Sequence, residues 1–163
     1  MTPKPTAAAA PVVFEPEFIA GMRQLTEEMI SFNKLLGLQL VSVTPDEACA
    51  RLVMKPELIG HFAYGRIHGG AISAALDSMG GVAVMAAIAA KHMDEPVAQR
   101  MQRFGRLGTI DLRVDFLRQG IGEAFTVRGQ VLRLGSRVAS TRMEFLAEDG
   151  TLLSTGAAAY IVS

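Results

Sequence analysis

Between His68 and Lys91 the chain reads HGGAISAALDSMGGVAVMAAIAAK, an apolar stretch in which Asp77 is the one charged residue before Lys91 closes it. An ionised carboxylate in apolar surroundings is costly unless it is paired or used, so a lone acid here is a candidate general base or nucleophile. The structural alternative is a buried acid hydrogen-bonded to Ser73, Ser78 or a backbone group. The stretch opens on His68, Gly69 and Gly70. At a helix start, backbone N–H groups lack intrahelical acceptors and can donate elsewhere. His68 fits a residue that orders the preceding loop or caps the helix, more than a catalytic one.

The element that carries Asp77 follows from residue type. Ala, Leu, Met and Ile dominate a run far longer than an ordinary strand, which predicts a helix. Its apolar residues are not confined to one stripe, so it must be buried nearly all round, by a membrane or by a sheet. An Asp near the middle of a bilayer costs about 2.5–3.5 kcal/mol on insertion scales, and two serines and four glycines accompany it. The expectation is a central helix inside a curved sheet, with no membrane span.

The flanking sequence supplies that sheet. Phe18, Met22, Leu25, Met29 and Phe32 recur at three and four, predicting one amphipathic helix over Glu15–Leu36. Leu38–Val43 and Ala48–Met54 form a hairpin about Thr44-Pro45-Asp46-Glu47. Lys55–Ile67, with His61, Phe62 and Tyr64, is a loop leading to the central helix, and His92–Leu107, with Arg100, Arg103 and Arg106, is a solvated connector. Gly108–Arg118 alternates cleanly, with Ile110, Leu112, Val114 and Phe116 on a buried face and Thr109, Asp111, Arg113 and Asp115 on a wet one. Thr109 can then turn inward only through a strand end or a bulge. Ala124–Leu134, Val138–Ala147 and Leu152–Val162 complete an antiparallel meander, so the class is α+β.

Composition bounds the rest. The 163 residues carry 16 Lys and Arg against 16 Asp and Glu, a balance that offers nothing to nucleic acid or an anionic membrane. Residues 1–14 are expected to be a flexible tail without signal-peptide character, and 15–163 a single domain. Cys49 alone excludes an internal disulfide and fits a reducing, cytoplasmic compartment as a buried structural thiol. His61, His68 and His92 lack partners at metal-ligand spacing, and there is no Gly-x-Ser-x-Gly or phosphate-binding Gly-rich motif. Arg118, Arg133 and Arg137 are candidate phosphate partners, of which Arg137 stands out because it follows Gly135-Ser136 in a turn.

His68-Gly69-Gly70, the acid nine positions after the histidine, and the segment GTIDLRVDFLR from Gly108 to Arg118 together resemble the hotdog-fold acyl-CoA thioesterases of the phenylacetate-degradation type. The chain is most similar to their enterobacterial medium- and long-chain branch, from about Phe32 to the C-terminus. The resemblance implies a long helix wrapped by a curved antiparallel sheet, with an added N-terminal helix. It implies hydrolysis of an acyl-CoA, of medium or long fatty chain, without metal or cofactor beyond the coenzyme A of the substrate. It further implies that Gly70 offers a backbone N–H to the thioester carbonyl, that Asp77 is general base or nucleophile, and that Thr109 helps hold the attacking water. His61, Phe62, His68, Gly69 and Arg137 are the expected substrate contacts. Phe62 stands where relatives carry an Asn, with His61 beside it as a possible replacement.

These residue types suit the reaction. A thioester carbonyl gains negative charge in the transition state, which a helix N-terminus meets with donors and a positive dipole end. Gly70 and Asp77 lie seven residues apart, roughly 10 Å along a helix, while both must come within about 3 Å of one centre. The spacing therefore predicts a site shared across a homodimer, and the family suggests a dimer of dimers, or homotetramer. The rivals are a non-catalytic acyl-thioester-binding protein and a hotdog hydratase or dehydratase.

Overall fold

The computed structural model describes residues 12–162. Helix α1 (Pro16–Arg23) runs through a wide π turn at Gln24–Met29 into α2 (Ser31–Leu36). Strands β1 (Leu38–Val43) and β2 (Glu47–Val53) follow, then the short pair β3 (Ile59–His61) and β4 (Arg66–Ile67), and the long helix α3 (Gly69–Ala90). A short α4 (Val97–Gln102) leads to β5 (Gly108–Phe116), β6 (Ala124–Leu134), β7 (Val138–Ala147) and β8 (Leu152–Ile161).

Six strands form one antiparallel sheet in the order β1-β2-β6-β7-β8-β5. Its inward residues, among them Leu38, Ala50, Leu52, Phe125, Val127, Met143, Phe145 and Leu153, close over α3. Ile72, Ala75, Leu76, Met79, Val82, Ala83, Val84 and Ala86 of the helix are buried in return. The helix is long and apolar enough to cross a membrane, yet 72% of its most apolar window lies inside the fold. This is the hotdog arrangement expected of the sequence.

Small residues set how close helix and sheet come. A Cβ on Gly129 of β6 would lie 2.3 Å from the carbonyl oxygen of Met79, and one on Gly80 would lie 2.3 Å from the hydroxyl of Tyr160. Both glycines are buried, and a backbone neighbour cannot swing aside as a side chain can.

Three expectations need correction. The N-terminal helix is not continuous: the Ile30 N–H bonds to Leu25 O across the π turn, and Ile30 is extended at φ −80°, ψ 97°. That break re-aims the chain, burying Thr26, Asn33 and Leu36 while Met29 and Phe32, expected inside, face out. The connector before β5 is not simply solvated, because Arg100 is 1% exposed, paired with Glu15 at 2.6 Å and set over the Phe18 ring. That pairing fastens α1 to the body. Strand β5 lies at a sheet edge, and its apolar face is covered only in part: Leu112 and Val114 pack against the core, while Ile110 is 56% and Phe116 55% exposed.

Packing begins by Phe14, which stacks on Phe18 at 4.5 Å, so the last residue of the expected tail belongs to the core. Residues 1–11 of that tail lie outside the described residues. Cys49 is half-buried, and burial pushes its thiol above its ordinary value.

Gly129→Ala tests the close approach of β6 to α3. Forcing a methyl against backbone is expected to cost about 2–3 kcal/mol, measured by denaturant unfolding. Unchanged stability would show that helix and sheet have slack there.

Candidate active site

Asp77 lies midway along α3, half-buried, on the face that meets β5 and β8. One carboxylate oxygen, Oδ1, accepts two hydrogen bonds, from Thr109 Oγ1 at 2.9 Å and from Tyr160 Oη at 3.1 Å. The Tyr160 hydroxyl shares its one proton between Oδ1 and the Asp77 carbonyl oxygen, which it approaches more closely, at 2.8 Å. Among the described residues nothing donates to Oδ2. Two hydroxyls thus fix the carboxylate while its other oxygen stays available.

Each donor is delivered by a local irregularity. The register of β5 against β8 slips between Thr109 and Asp111, so Ile110 is an extra residue and Thr109 escapes the alternation that would turn it outward. Tyr160, on the neighbouring strand β8, pairs across from Thr109 and points its ring inward over Gly80. Burial, then the Asp77 charge, then the hydrogen bond to Asp77 push the Tyr160 phenol well above its ordinary range, which keeps it a neutral donor.

Beside Asp77 lies a cavity of about 130 Å³ walled by Ile30, Val82, Met85 and Leu107, with Asn33 and Ser78 at its polar side. Ser78 Oγ donates to Asn33 Oδ1 at 2.6 Å. Asn33 and Tyr160 are the members that sequence reasoning missed. Asn33 was hidden by the break in the N-terminal helix, which shifts which side faces in. Tyr160 sits in an alanine-rich strand, and the small pair Gly80-Gly81 was its one trace.

The remaining expected site residues lie elsewhere in the same chain. His68 is the N-cap of α3, and its Nδ1 accepts the Gly70 N–H at 2.8 Å. That is the very donor assigned to the carbonyl. A second, largely apolar cavity of about 210 Å³ meets Gly70, between Phe32, Leu35, Leu36 and Leu58. Gly69 packs under Phe116, where a Cβ would come within 3.2 Å of the ring. His61 stacks between Phe62 and Tyr64 at the β3–β4 tip, its ring centroid 5.7 Å and 4.8 Å from theirs, and Phe62 is 92% exposed. His61, His68 and Gly69 border a further cavity of about 500 Å³ with Arg66 and Arg118. Arg137 is exposed in the β6–β7 turn, its carbonyl accepting the Val162 N–H. The structure therefore brings Thr109 to Asp77 and leaves the helix-start residues and Arg137 apart from them.

The buried phenol carries a pH signature. Its folded pKa is raised above the unfolded value near 10, so its contribution to stability is complete below about pH 10 and is lost as pH rises beyond it. In a Tyr64→Phe background Tyr160 is the only tyrosine. Alkaline titration should then show no phenolate absorbance until circular dichroism reports unfolding. Ionisation near pH 10 in the folded protein would contradict the buried clamp.

Residues 64–154 match the profile of the "Thioesterase superfamily". The chain is 36% identical over 131 residues to "Medium/long-chain acyl-CoA thioesterase YigI" of Escherichia coli K12, covering 80% of this chain and 84% of that protein. The Salmonella typhimurium protein of the same name is 38% identical over 133 residues, with the same coverage. Among solved structures, a Shewanella oneidensis protein related to the thioesterase superfamily superposes with a TM-score of 0.82 at 37% identity, over 92% of this chain and all of that one. With the family profile spanning more than half of its length, and relatives this similar over four-fifths of it, the chain belongs to the thioesterase superfamily.

Proposed function

We propose that this protein hydrolyses medium- or long-chain fatty acyl-CoA to the free acid and coenzyme A, at a site completed by a second copy of the chain. The observation that carries the reading is the Asp77 carboxylate, clamped through Oδ1 by Thr109 and Tyr160 with Oδ2 open to an apolar cavity.

In this reading Asp77 Oδ2 takes a proton from water, whose oxygen attacks the thioester carbonyl carbon. Charge gathers on the carbonyl oxygen, which the N–H of Gly70 of the partner subunit receives at the positive end of α3. The C–S bond then breaks, and coenzyme A leaves as the thiolate and takes up the proton held on Asp77 Oδ2, which restores the carboxylate. Thr109 acts here on the carboxylate directly, in place of the water-holding role that resemblance suggests. His68 Nδ1 occupies the Gly70 N–H in the free chain, so the carbonyl displaces it, and the imidazole serves as a stand-in acceptor.

Spacing along α3 supports the shared site. Gly70 and Asp77 stand roughly 10 Å apart on a helix, too far to serve one carbon. The edge strand β5, with Ile110 and Phe116 uncovered, and the exposed Phe32 and Leu35 beside Gly70 offer the apolar surface a second copy would bury. Both cavities that would meet there have largely aliphatic and aromatic walls, and although Glu57 and His68 join the second, no Lys or Arg lines either. That favours an aliphatic acyl chain over an acidic one, in keeping with the activity for which the Escherichia coli relative is named.

A non-catalytic acyl-thioester-binding role is separated by Asp77→Asn. The variant is expected to lose at least ~100-fold in kcat on fatty acyl-CoA, the scale of a general base, with its melting temperature and its retention on size exclusion unchanged. Near-full hydrolysis by the variant would sink the assignment of Asp77.

A further inference from the structure

Counting protons around the Asp77 cavity leaves one side-chain donor over. Thr109, Ser78 and Tyr160 each bring a hydroxyl to its wall, and a hydroxyl has one proton to give. Thr109 gives its proton to Asp77 Oδ1, and Tyr160 divides its own between Oδ1 and the Asp77 carbonyl oxygen. Ser78 gives its proton to Asn33 Oδ1 at 2.6 Å. The Asn33 amide completes the polar wall, 2% exposed, and with Oδ1 occupied its Nδ2 still has both N–H groups and no acceptor among the described residues. A buried donor left unmet costs about 1–3 kcal/mol, so Nδ2 calls for an acceptor from within the cavity.

Local irregularity brings Asn33 there. Across the π turn at Gln24–Met29 the Ile30 N–H bonds to Leu25 O, and Ile30 leaves the helix at φ −80°, ψ 97°, which turns Asn33 of α2 inward. Glu27, inside the turn, accepts the Leu40 N–H of β1 through Oε1 at 2.8 Å and ties that geometry to the sheet. π turns are rare and recur at functional sites. Ile30 lines the same cavity, so the turn supplies an apolar wall as well as the donor. Ser78 follows Asp77 directly in α3, and its bond to Asn33 therefore fixes the amide beside the carboxylate.

We infer that Asn33 Nδ2 holds the attacking water in the Asp77 site. The inference rests on the hydrolytic reading of Asp77. The cavity of about 130 Å³ has room for only a few waters at about 30 Å³ each. A water there donates one hydrogen to Asp77 Oδ2 and accepts a hydrogen bond from Asn33 Nδ2, which leaves its second lone pair facing the open space. When the thioester carbonyl carbon arrives, that lone pair forms the C–O bond and the donated hydrogen passes to Oδ2. Asn33 neither gains nor loses a proton. A carboxylate alone grips a water by one hydrogen and lets it swing, whereas the amide fixes a second point, and a misplacement of about 1 Å costs on the order of 100-fold.

Asn33→Ala is expected to lower kcat on a fatty acyl-CoA about 10- to 100-fold, with KM within about twofold. Calorimetry with a non-hydrolysable alkyl-thioether analogue of that substrate should show affinity within about twofold of wild type. Asn33→Asp keeps the shape of the amide and the acceptor for Ser78 but has no N–H, so it remains informative where the truncation does not fold, and it should lose at least as much. In the double variant Asp77→Asn/Asn33→Ala, kcat should fall no more than about threefold below that of Asp77→Asn alone, because groups acting on one water are not additive. Losses that multiply, analogue binding that falls in step with kcat, or kcat within about twofold of wild type in either Asn33 variant would overturn the role of Asn33 while an inactive Asp77→Asn leaves the hydrolytic reading standing. Full activity in Asp77→Asn would instead remove that reading, and the inference with it.

Discussion

A carboxylate in the middle of an apolar helix is tolerable only if its charge is met, and here two hydroxyls from the sheet meet it on a single oxygen. Much of the local architecture follows from that requirement. Strand β5 carries a bulge that turns Thr109 inward, β8 places Tyr160 beside it, and Gly80 leaves the space that the phenol needs. Gly129 lets the sheet come down onto the helix backbone close enough for those hydroxyls to reach. Clamping through Oδ1 leaves Oδ2 without a donor among the described residues.

Helix geometry imposes the second constraint. A rise of about 1.5 Å per residue fixes the distance between a donor at the start of α3 and an acid two turns later, and no side-chain rotation brings a backbone N–H to Asp77. Ile110 and Phe116 of β5 and Phe32 and Leu35 of α2 are left exposed.

The strands and the long helix were legible because each has one dominant period. Alternation placed β1, β2 and β5–β8 to within a residue or two, and the continuous apolar run placed α3. Asp77 stood out as the only acid in that run. Local departures from regularity were not legible. The π turn at Gln24–Met29 shifts the face of the N-terminal helix, so Phe32 faces out and Asn33 faces in. The bulge at Ile110 could be named only as a condition for Thr109 to turn inward. Tyr160 escaped notice because a polar tip on a buried ring looks like core in sequence, and its partner is 83 residues away. The hydrogen bond from Gly70 to His68 needs coordinates, since spacing shows only that a cap is possible.

The central claim is that one active site draws Asp77 from one subunit and the Gly70 N–H from the other. Heterodimers of Asp77→Asn with Gly70→Pro, which removes the N–H within the first helical turn where proline is tolerated, test it directly when purified through two different tags. One of their two sites carries both lesions and the other carries neither. The account predicts that two nearly inactive parents yield a heterodimer with about half the wild-type rate per dimer. A heterodimer no more active than its parents would place the whole site within one chain and contradict it.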